Sequence, residues 1–204
     1  MVHVITDYQL TDRRVATMFE DRKRLFVNLM RWDVPIIADR YEIDQFDGPG
    51  ATYLIALDGR GDHEGSLRLL PTTGPHILRD IFPMLCDGEV PQGPAILEIT
   101  RLCLPCRLGA ERRRQVRDRL ISAMVDHARA SGIVALTGVV SARFRKQVLM
   151  MGWEARALGP PSRNLGTELG AFRIAIDAST PSKLAGAGIY TPSTITPPAL
   201  HRAA

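Results

Sequence analysis

The sequence lacks several features that define whole classes of protein. It has no apolar run of about 20 residues, the length that a bilayer-spanning helix requires, so no transmembrane segment is predicted. The first ten residues, MVHVITDYQL, do not combine a basic stretch with a following apolar one, so we expect no secretory signal. Three cysteines, an odd number, do not make a disulfide framework. Together these absences predict a protein of a reducing compartment, the cytoplasm.

What remains is the composition of an ordinary globular protein. Of the 204 residues, 45% are hydrophobic and 24% are charged, which is enough for one domain with a substantial core. The formal net charge is +4, and arginines are concentrated in residues 107–119, RLGAERRRQVRDR. A stretch of this kind favours an acidic partner.

The spacing of apolar residues predicts alternating helices and strands. We expect helices over residues 12–30, 111–132 and 142–152, and strands over residues 51–57, 65–71, 95–104, 133–140, 153–158 and 171–177. This order favours an α/β (α+β) sandwich of three layers, with helices on both faces of one mixed, twisted sheet. Residues 1–178 are interpreted as a single domain. Residues 179–204, rich in Pro, Ser, Thr and Ala, are interpreted as an extended tail.

Motifs for metals and nucleotides are weak. Cys103 and Cys106 have C-x-x-C spacing, but a zinc site needs four ligands and Cys86 is the only other thiol. Asp44 and Asp47 do not fit the spacing of an EF-hand loop. No G-x-S-x-G, Walker A or dinucleotide fingerprint occurs. We therefore predict no metal and no cofactor, and we interpret the cysteines as packing residues.

Charged residues stand at positions where the pattern predicts burial. Arg22 lies in the middle of the apolar stripe of the first helix, where a guanidinium must be paired, face a polar pocket, or extend to the edge of the stripe. Arg68 lies on the second of the predicted strands. Glu98 and Arg101 lie on the third, at an odd spacing that directs them to opposite faces unless a bulge intervenes. For charges on central strands, a functional role is favoured.

A dispersed set of residues runs in order through most of the chain. Its segments are RKRLFVNLMRWDVP (22–35), EIDQFD (42–47), GSLRLLPTTGPHILRDIFP (65–83) and LEITRLCLP (97–105), and the set itself comprises Arg22, Phe26, Trp32, Asp44, Asp47, Arg68, Glu98 and Arg101. This pattern resembles that of the LuxI-type acyl-homoserine lactone synthases, the autoinducer synthases of bacterial quorum sensing. In addition, Arg107, Gly109 and Ala110 precede a predicted helix and resemble the R-x-x-G-A phosphate loop of GNAT-fold N-acyltransferases.

The resemblance implies a GNAT-like fold and a reaction of two substrates. The amine of S-adenosylmethionine attacks an acyl thioester carried by acyl carrier protein or CoA. The methionine carboxylate then closes the lactone and expels methylthioadenosine. Glu98 is the expected proton acceptor, oriented by Arg101, with water or a backbone carbonyl as the alternative. Backbone N–H groups near Leu102–Leu104 are expected to face the oxyanion.

The implied S-adenosylmethionine site combines charges with aromatic rings. Its aspartates suit the cationic ends of the substrate, its arginines suit the carboxylate, and its aromatic residues suit the adenine or the sulfonium. The implied residues are Arg22, Phe26, Trp32, Asp44, Asp47, Arg68 and Arg101. Glu42, the third acid of this stretch, is assigned no role.

The implied sites for the acyl group and its carrier are less defined. The acyl pocket is expected to include Phe82, Leu102, Met124, Gly138, Val139, Ser141 and Leu149, although each apolar member equally suits a plain core. Gly138 falls where some family members that accept 3-oxo-acyl chains carry a hydroxyl, so an unsubstituted chain is favoured. Contacts to acyl carrier protein or CoA phosphates are expected from Arg107, Gly109, Arg112, Arg113, Arg117, Arg143 and Lys146, with Arg145 beside them. We favour the carrier protein as donor.

Two other functions stay open at this point. One is a GNAT-type acyltransferase that acts on another amine, and the acidic and aromatic N-terminal segment argues against it. The other is a nucleic-acid-binding regulator built on the arginine-rich helix, although that helix lacks a helix-turn-helix partner and +4 is a modest charge for DNA binding. We expect no nucleic-acid partner, and a monomer or a weak homodimer.

Overall fold

The computed structural model describes residues 1–164, 166–192 and 195–196. The helical segments are α1 (Arg13–Arg22), a π-helix (Lys23–Leu29), α2 (Ile77–Asp80), a 3₁₀ turn (Pro83–Leu85), α3 (Ala110–Ala130), α4 (Ala142–Leu149) and α5 (Thr180–Gly186). The strands are β1 (Val2–Ile5), β2 (Ile36–Ile37), β3 (Tyr41–Glu42), β4 (Thr52–Leu57), β5 (His63–Pro71), β6 (Ile96–Cys103), β7 (Ala135–Ser141), β8 (Ala155–Ala157), β9 (Ser162–Asn164), β10 (Thr167–Ala175) and β11 (Ile195–Thr196). The described chain divides into two compact units.

The first unit contains residues 1–68 and 101–123 together with strand β11. In it β1 pairs in parallel with β11 and antiparallel with β4, from Val2 opposite Ala56 to Ile5 opposite Tyr53. Strand β4, TYLIAL, is almost continuously apolar and buried, as expected of a strand that is covered on both faces. Strands β2 and β3 form a separate short hairpin. This unit also contains six charged residues that form the network described below: Arg22, Glu42, Asp44, Asp47, Arg68 and Arg101.

The second unit contains residues 69–100 and 124–192. Residues 96–100 of strand β6 belong to this unit, and β6 pairs in parallel with β7, from Ile96 opposite Ala135 to Ile99 opposite Gly138. Strand β10 is antiparallel to β7 on one side and to β8 on the other, and it also pairs with β9. Parallel and antiparallel pairs together make the sheet mixed, as the order of the elements predicted.

The first helix differs from the prediction in its second half. Asp12 caps α1 by accepting a hydrogen bond from the backbone N–H of Arg14. We expected an α-helix over residues 12–30, but from Lys23 the chain continues as a π-helix, in which the N–H of Met30 bonds the carbonyl of Leu25. A π-turn inserts an extra residue per turn and often marks a functional site.

The C-terminal segment also corrects the prediction. We expected an extended tail after Asp177, but residues Thr180–Gly186 form α5, with a proline in its first turn and Leu184 fully buried. Proline suits a first helical turn because its missing N–H has no partner there. Strand β11 also falls in this segment, whereas residues 193–194 and 197–204 lie outside the described part of the chain. None of the described helices is long and apolar enough to span a membrane.

Candidate active site

Arg22 is the centre of a buried network of charges in the first unit. Its Nε donates to Glu42 Oε2 at 2.5 Å, and its two Nη atoms donate to the two oxygens of Asp47 at 2.8 Å each. The side chain of Arg22 is 1% exposed, and those of Glu42 and Asp47 are fully buried. Of the alternatives that the sequence left open for Arg22, the structure shows a buried and paired guanidinium and not one that extends to the edge of the stripe.

Arg68 and Arg101 extend this network. Arg68 donates to both oxygens of Asp44, at 2.6 and 3.1 Å, and forms an ion pair with Asp47 at 2.7 Å. Arg101 donates to Glu42 Oε1 from Nε at 3.2 Å and from Nη2 at 3.0 Å, and its Nη2 lies 2.6 Å from Asp44. Three guanidinium groups thus face three carboxylates, so their formal charges cancel. We call these six residues the arginine–carboxylate network.

Local hydrogen bonds hold the acidic segment in this arrangement. The N–H of Asp44 donates to Asp47 Oδ2 at 2.9 Å, and the N–H of Phe46 donates to Asp44 Oδ1 at 2.9 Å. The Tyr53 hydroxyl on β4 donates to Asp47 Oδ1 at 2.8 Å. Aspartates form such short loops readily because their side chains reach backbone N–H groups two or three residues away. Both aspartates are consequently directed toward the arginines.

The ionisation of the network follows from its pairing. Burial alone raises the pKa of Asp47, but Arg22 and Arg68 outweigh burial and hold the pKa well below its usual range. For Arg22, burial acts to lower the pKa, whereas Asp47 and Glu42 raise it above the usual value. Burial, followed by the charge of Asp47, raises the pKa of Tyr53. Arg22 and Asp47 are therefore ionised at neutral pH, with Tyr53 as a neutral donor.

The backbone at Arg101 departs from strand geometry. Its φ is +51°, in the left-handed region that residues with a side chain rarely occupy, and the pairing of β6 with β7 extends only to Ile99. The sequence required a distortion between Glu98 and Arg101 for both to serve one site, and a distortion is present at Arg101. Such backbone outliers concentrate at functional sites.

Aromatic rings lie beside the least buried arginine of the network. Phe26 and Trp32 stack with ring centroids 4.8 Å apart and planes 14° apart. The guanidinium carbon of Arg101 lies 5.6 and 5.7 Å from these two centroids, within cation–π distance. Trp32 is 41% exposed, and the Arg101 side chain is 10% exposed. Solvent therefore reaches the network at its Trp32 and Arg101 end.

Glu98 lies in the second unit, where backbone groups hold its carboxylate. Oε2 accepts the N–H of Ile77 and Oε1 accepts the N–H of Leu78, each at 2.7 Å, and the residue is fully buried. The contacts of Arg101 are ion pairs with Glu42 and Asp44, and its expected role in orienting Glu98 stays a prediction. The assignment of Glu98 as proton acceptor stays a prediction.

Sequence reasoning missed the role of Glu42. It is the carboxylate that joins Arg22 to Arg101, two arginines on different elements. The signal was a third acid in the same segment as Asp44 and Asp47, since three buried arginines require three acids, whereas Glu98 had been expected beside Arg101. Within the described residues, no group of three or more His, Cys, Asp or Glu side chains is arranged to hold a metal ion.

The expected acyl-pocket residues lie on several elements, and their role in binding an acyl group stays a prediction. In the second unit, Phe82 and Val139 pack against a buried cluster of Leu78, Leu85, Leu158 and Ala171. Ser141 caps α4 by accepting the N–H of Phe144, Met124 is buried on α3, and Leu149 ends α4. Leu102 is on β6 in the first unit. Gly138 packs against Phe172, as described below.

Several of the expected donor contacts already have acidic partners. Arg107 donates to Asp21 at 2.6 Å and to the carbonyl of His63, and Arg112 donates to both oxygens of Glu64 at 2.7 and 2.8 Å. Arg117 pairs with Asp118, and Gly109 accepts the N–H of Arg113 at the start of α3. Arg143 and Lys146 are exposed. Arg145, expected beside them, is instead buried and donates to the carbonyl of Gly159 at 2.8 Å.

Comparisons with known proteins bear on the family. A family model described as "Autoinducer synthase" matches residues 7–184. The chain belongs to the autoinducer synthase family. An acyl-homoserine-lactone synthase of Ralstonia nicotianae is 33% identical over 193 residues, which cover 91% of this chain and 92% of the relative. The family that the sequence resembled is thus confirmed.

Solved structures place the fold. A CoA-dependent acyl-homoserine lactone synthase, solved with SAM and isopentyl-CoA, matches with a TM-score of 0.83 and 25% identity, covering 97% of this chain and 92% of that chain. A Lactobacillus plantarum protein named as an N-acetyltransferase matches in fold alone, with a TM-score of 0.58, 16% identity and coverage of 86% and 99%. The expected GNAT-like α/β fold is confirmed.

Removal of one carboxylate from the network tests its energetics. The change Glu42→Gln removes the negative charge that Arg22 and Arg101 share but keeps the size of the side chain. We therefore expect the free energy of unfolding to fall by about 3–5 kcal/mol. Asp62→Asn, which removes an exposed ion pair with Arg13, is the matched control, with an expected loss of about 0–1 kcal/mol. Urea unfolding measures both. Equal losses in the two variants contradict the role of the network.

The lowered pKa of Asp47 predicts an acid-sensitive fold. Because the folded protein holds this pKa below the ordinary value of 3.8, the stabilisation is complete above that value and is lost as the pH falls further. We therefore expect the free energy of unfolding to decline steeply below about pH 4, and Asp47→Asn to have a shallower decline. Urea titrations between pH 6 and pH 3 measure the slopes. Parallel slopes in both proteins contradict the assignment.

Proposed function

We propose that this chain is an acyl-homoserine lactone synthase. It transfers an acyl group from an acyl thioester to the amine of S-adenosylmethionine and then closes the lactone ring. The observation that carries the proposal is the neutral arginine–carboxylate network, which meets solvent beside the stacked Phe26 and Trp32. The family and its relatives support the same activity. We place the reaction in the cytoplasm, where both substrates are made.

The network suits a substrate that carries charges of both signs. S-adenosylmethionine has a sulfonium, an ammonium and a carboxylate. Asp44 and Arg101 are the members with exposed side-chain surface, so we assign the ammonium to Asp44 and the carboxylate to Arg101. Phe26 and Trp32 offer faces for the adenine or the sulfonium. The buried members of the network hold the side chains of Asp44 and Arg101 in place. These members are Arg22, Arg68, Glu42 and Asp47.

The chemistry proceeds in two steps. The amine forms a bond to the thioester carbonyl, the carbon–sulfur bond of the donor breaks, and the amine proton passes to Glu98 directly or through water. Each oxygen of Glu98 accepts one backbone N–H, which holds the carboxylate in a fixed orientation. The methionine carboxylate then attacks its own γ-carbon, and the bond to sulfur breaks to release methylthioadenosine. Both steps depend on positioning and on charge stabilisation.

Two acyl donors are compatible with the proposed reaction, an acyl carrier protein and CoA. We propose an acyl carrier protein as donor, because exposed cations such as Arg143 and Lys146 attract an acidic protein surface. CoA is the alternative, and one similar structure is that of a CoA-dependent enzyme. An acyltransferase acting on another amine remains the second candidate, supported by the fold alone.

Product analysis tests the activity itself. Purified protein, S-adenosylmethionine and a panel of acyl carriers are expected to yield equal amounts of methylthioadenosine and acyl-homoserine lactone, as measured by liquid chromatography with mass detection. Absence of methylthioadenosine with every donor overturns the proposal. Acylation of another amine without methylthioadenosine supports the second candidate.

Salt and charge reversal distinguish the carriers. If the donor is a carrier protein, Arg143→Glu with Lys146→Glu raises KM for acyl carrier protein, and added salt has the same effect on the wild-type enzyme. KM for acyl-CoA stays nearly constant in the same proteins. Arg13→Gln, a change of an exposed arginine in the first unit, is the control. The carrier-protein assignment is contradicted if KM for acyl carrier protein is equal in the wild-type enzyme, in the variant with Arg143→Glu and Lys146→Glu, and in Arg13→Gln.

Gly138 supplies a sharper test of acyl specificity. A Cβ at this position would meet Phe172 Cζ at 2.7 Å and the carbonyl oxygen of Ile99 at 3.1 Å. We therefore expect Gly138→Thr to lose about 1–3 kcal/mol of stability by overpacking, rather than to gain acceptance of 3-oxo-acyl chains. The double variant with Phe172→Leu is expected to recover the stability, which thermal unfolding measures. A stable, active Gly138→Thr single variant contradicts this account.

A further inference from the structure

A second cluster of charges surrounds Asp21, the residue directly before Arg22. Asp21 Oδ1 accepts hydrogen bonds from Arg107 Nη1 at 2.6 Å and from Arg24 Nη1 at 2.8 Å. Its Oδ2 lies 2.7 Å from His63 Nδ1. The Asp21 side chain is 2% exposed, so an ionised carboxylate there needs partners such as these three.

The pKa shifts of Asp21 and His63 favour a charged carboxylate that accepts a hydrogen bond from a neutral imidazole ring. Burial acts to raise the pKa of Asp21, but the hydrogen bonds from His63 and Arg107 outweigh it, and the pKa lies below its usual range. Burial lowers the pKa of His63, so at neutral pH the ring is neutral and its Nδ1–H donates to the carboxylate. Arg107 also bonds the carbonyl of His63, which closes the cluster.

An open cleft lies along the helix on this side. It has a volume of about 490 Å³ and is lined by the helical residues Asp21, Arg24, Leu25, Asn28 and Leu29 and by the loop of Pro105, Cys106 and Arg107. Because side chains do not fill the space between the helix and this loop, the bonds of Asp21 contribute to fixing the rotation of the helix.

The position of Asp21 links the two clusters. Asp21 and Arg22 are consecutive on α1, so their side chains leave the helix in different directions, and Lys23 begins the π-helix that carries Phe26. Asp21 fixes the helix from the side of His63 and Arg107, and Arg22 fixes it from the side of Glu42 and Asp47. A small rotation at this junction displaces both Arg22 and Phe26.

We propose that Asp21 and Arg107 are positioning residues for the S-adenosylmethionine site, acting through the setting of the helix at Arg22. This inference rests on the proposed function, because it takes that site to be the arginine–carboxylate network. It gives Arg107 a different role from a donor phosphate contact: its guanidinium binds the cosubstrate helix, so its loss affects S-adenosylmethionine and leaves the donor unaffected.

The two roles of Arg107 predict opposite kinetic results. For Arg107→Gln and for Asp21→Asn we expect KM for S-adenosylmethionine to rise about tenfold, while KM for the acyl donor stays within about twofold of the wild-type value. The double variant is expected to match either single variant, because both remove the same interaction. Arg107→Lys retains one charged bond to Asp21 and is expected to recover part of the affinity.

Controls separate positioning from general destabilisation. Arg13→Gln removes an exposed ion pair from the same helix and is expected to leave both KM values unchanged. Calorimetric titration with S-adenosylmethionine in the absence of donor measures its affinity even for a variant with little turnover. Urea unfolding of each variant identifies any protein that does not fold, and Arg107→Lys then carries the test.

A rise in KM for the donor alone, additive effects in the double variant, or wild-type affinities throughout each overturn the inference. Its failure is distinct from failure of the proposed function, which is judged by release of methylthioadenosine from the wild-type enzyme. An active wild-type enzyme whose Arg107→Gln variant has altered donor KM alone retains the function and assigns Arg107 to the donor.

Discussion

The neutrality of the buried arginine–carboxylate network is the constraint on which the site depends. A buried guanidinium or carboxylate without a partner costs several kcal/mol, so none of the six groups is tolerated without the others. Bidentate pairing of Arg22 with Asp47 and of Arg68 with Asp44 fixes the planes of these groups as well as their distances. The chain accordingly holds Asp44 and Arg101 in fixed positions before any substrate arrives, and little reorganisation is required when one binds.

The helix that carries Arg22 shows how local structure serves this constraint. In an α-helix, residues four apart lie on one face, and Arg22 and Phe26 have that spacing. The change from α- to π-helix after Arg22 alters the angle between them, so that Arg22 enters the network while Phe26 stacks on Trp32 beside Arg101. The helix therefore joins the buried part of the site to its exposed part.

Sequence patterns predicted the members of the site better than their connections. The dispersed set from Arg22 to Arg101 identified the family, whereas the odd spacing of Glu98 and Arg101 left open whether the strand is distorted, and a distortion is found at Arg101. The role of Glu42 was missed because its partner Arg101 is 59 positions away, and no local pattern encodes that pairing. The π-helix was also missed, because over seven residues the spacing of its apolar side chains is close to that of an α-helix. Helix α5 was missed because its composition is that of a loop.

The arginine-rich stretch of residues 107–119 proved a poor guide to the positively charged surface of this protein. The arginine-rich stretch appeared to be a continuous basic surface, but Arg107 is bound to Asp21, and Arg112 and Arg119 are both bound to Glu64. These acids are nearly buried, so their pairs with arginine are screened less by solvent than pairs at the surface. An acidic partner competes with Asp21 and Glu64 for those guanidinium groups and gains little from them. The exposed cations with which the proposed acyl carrier would pair therefore include Arg114 of this stretch and, further along the chain, Arg143 and Lys146.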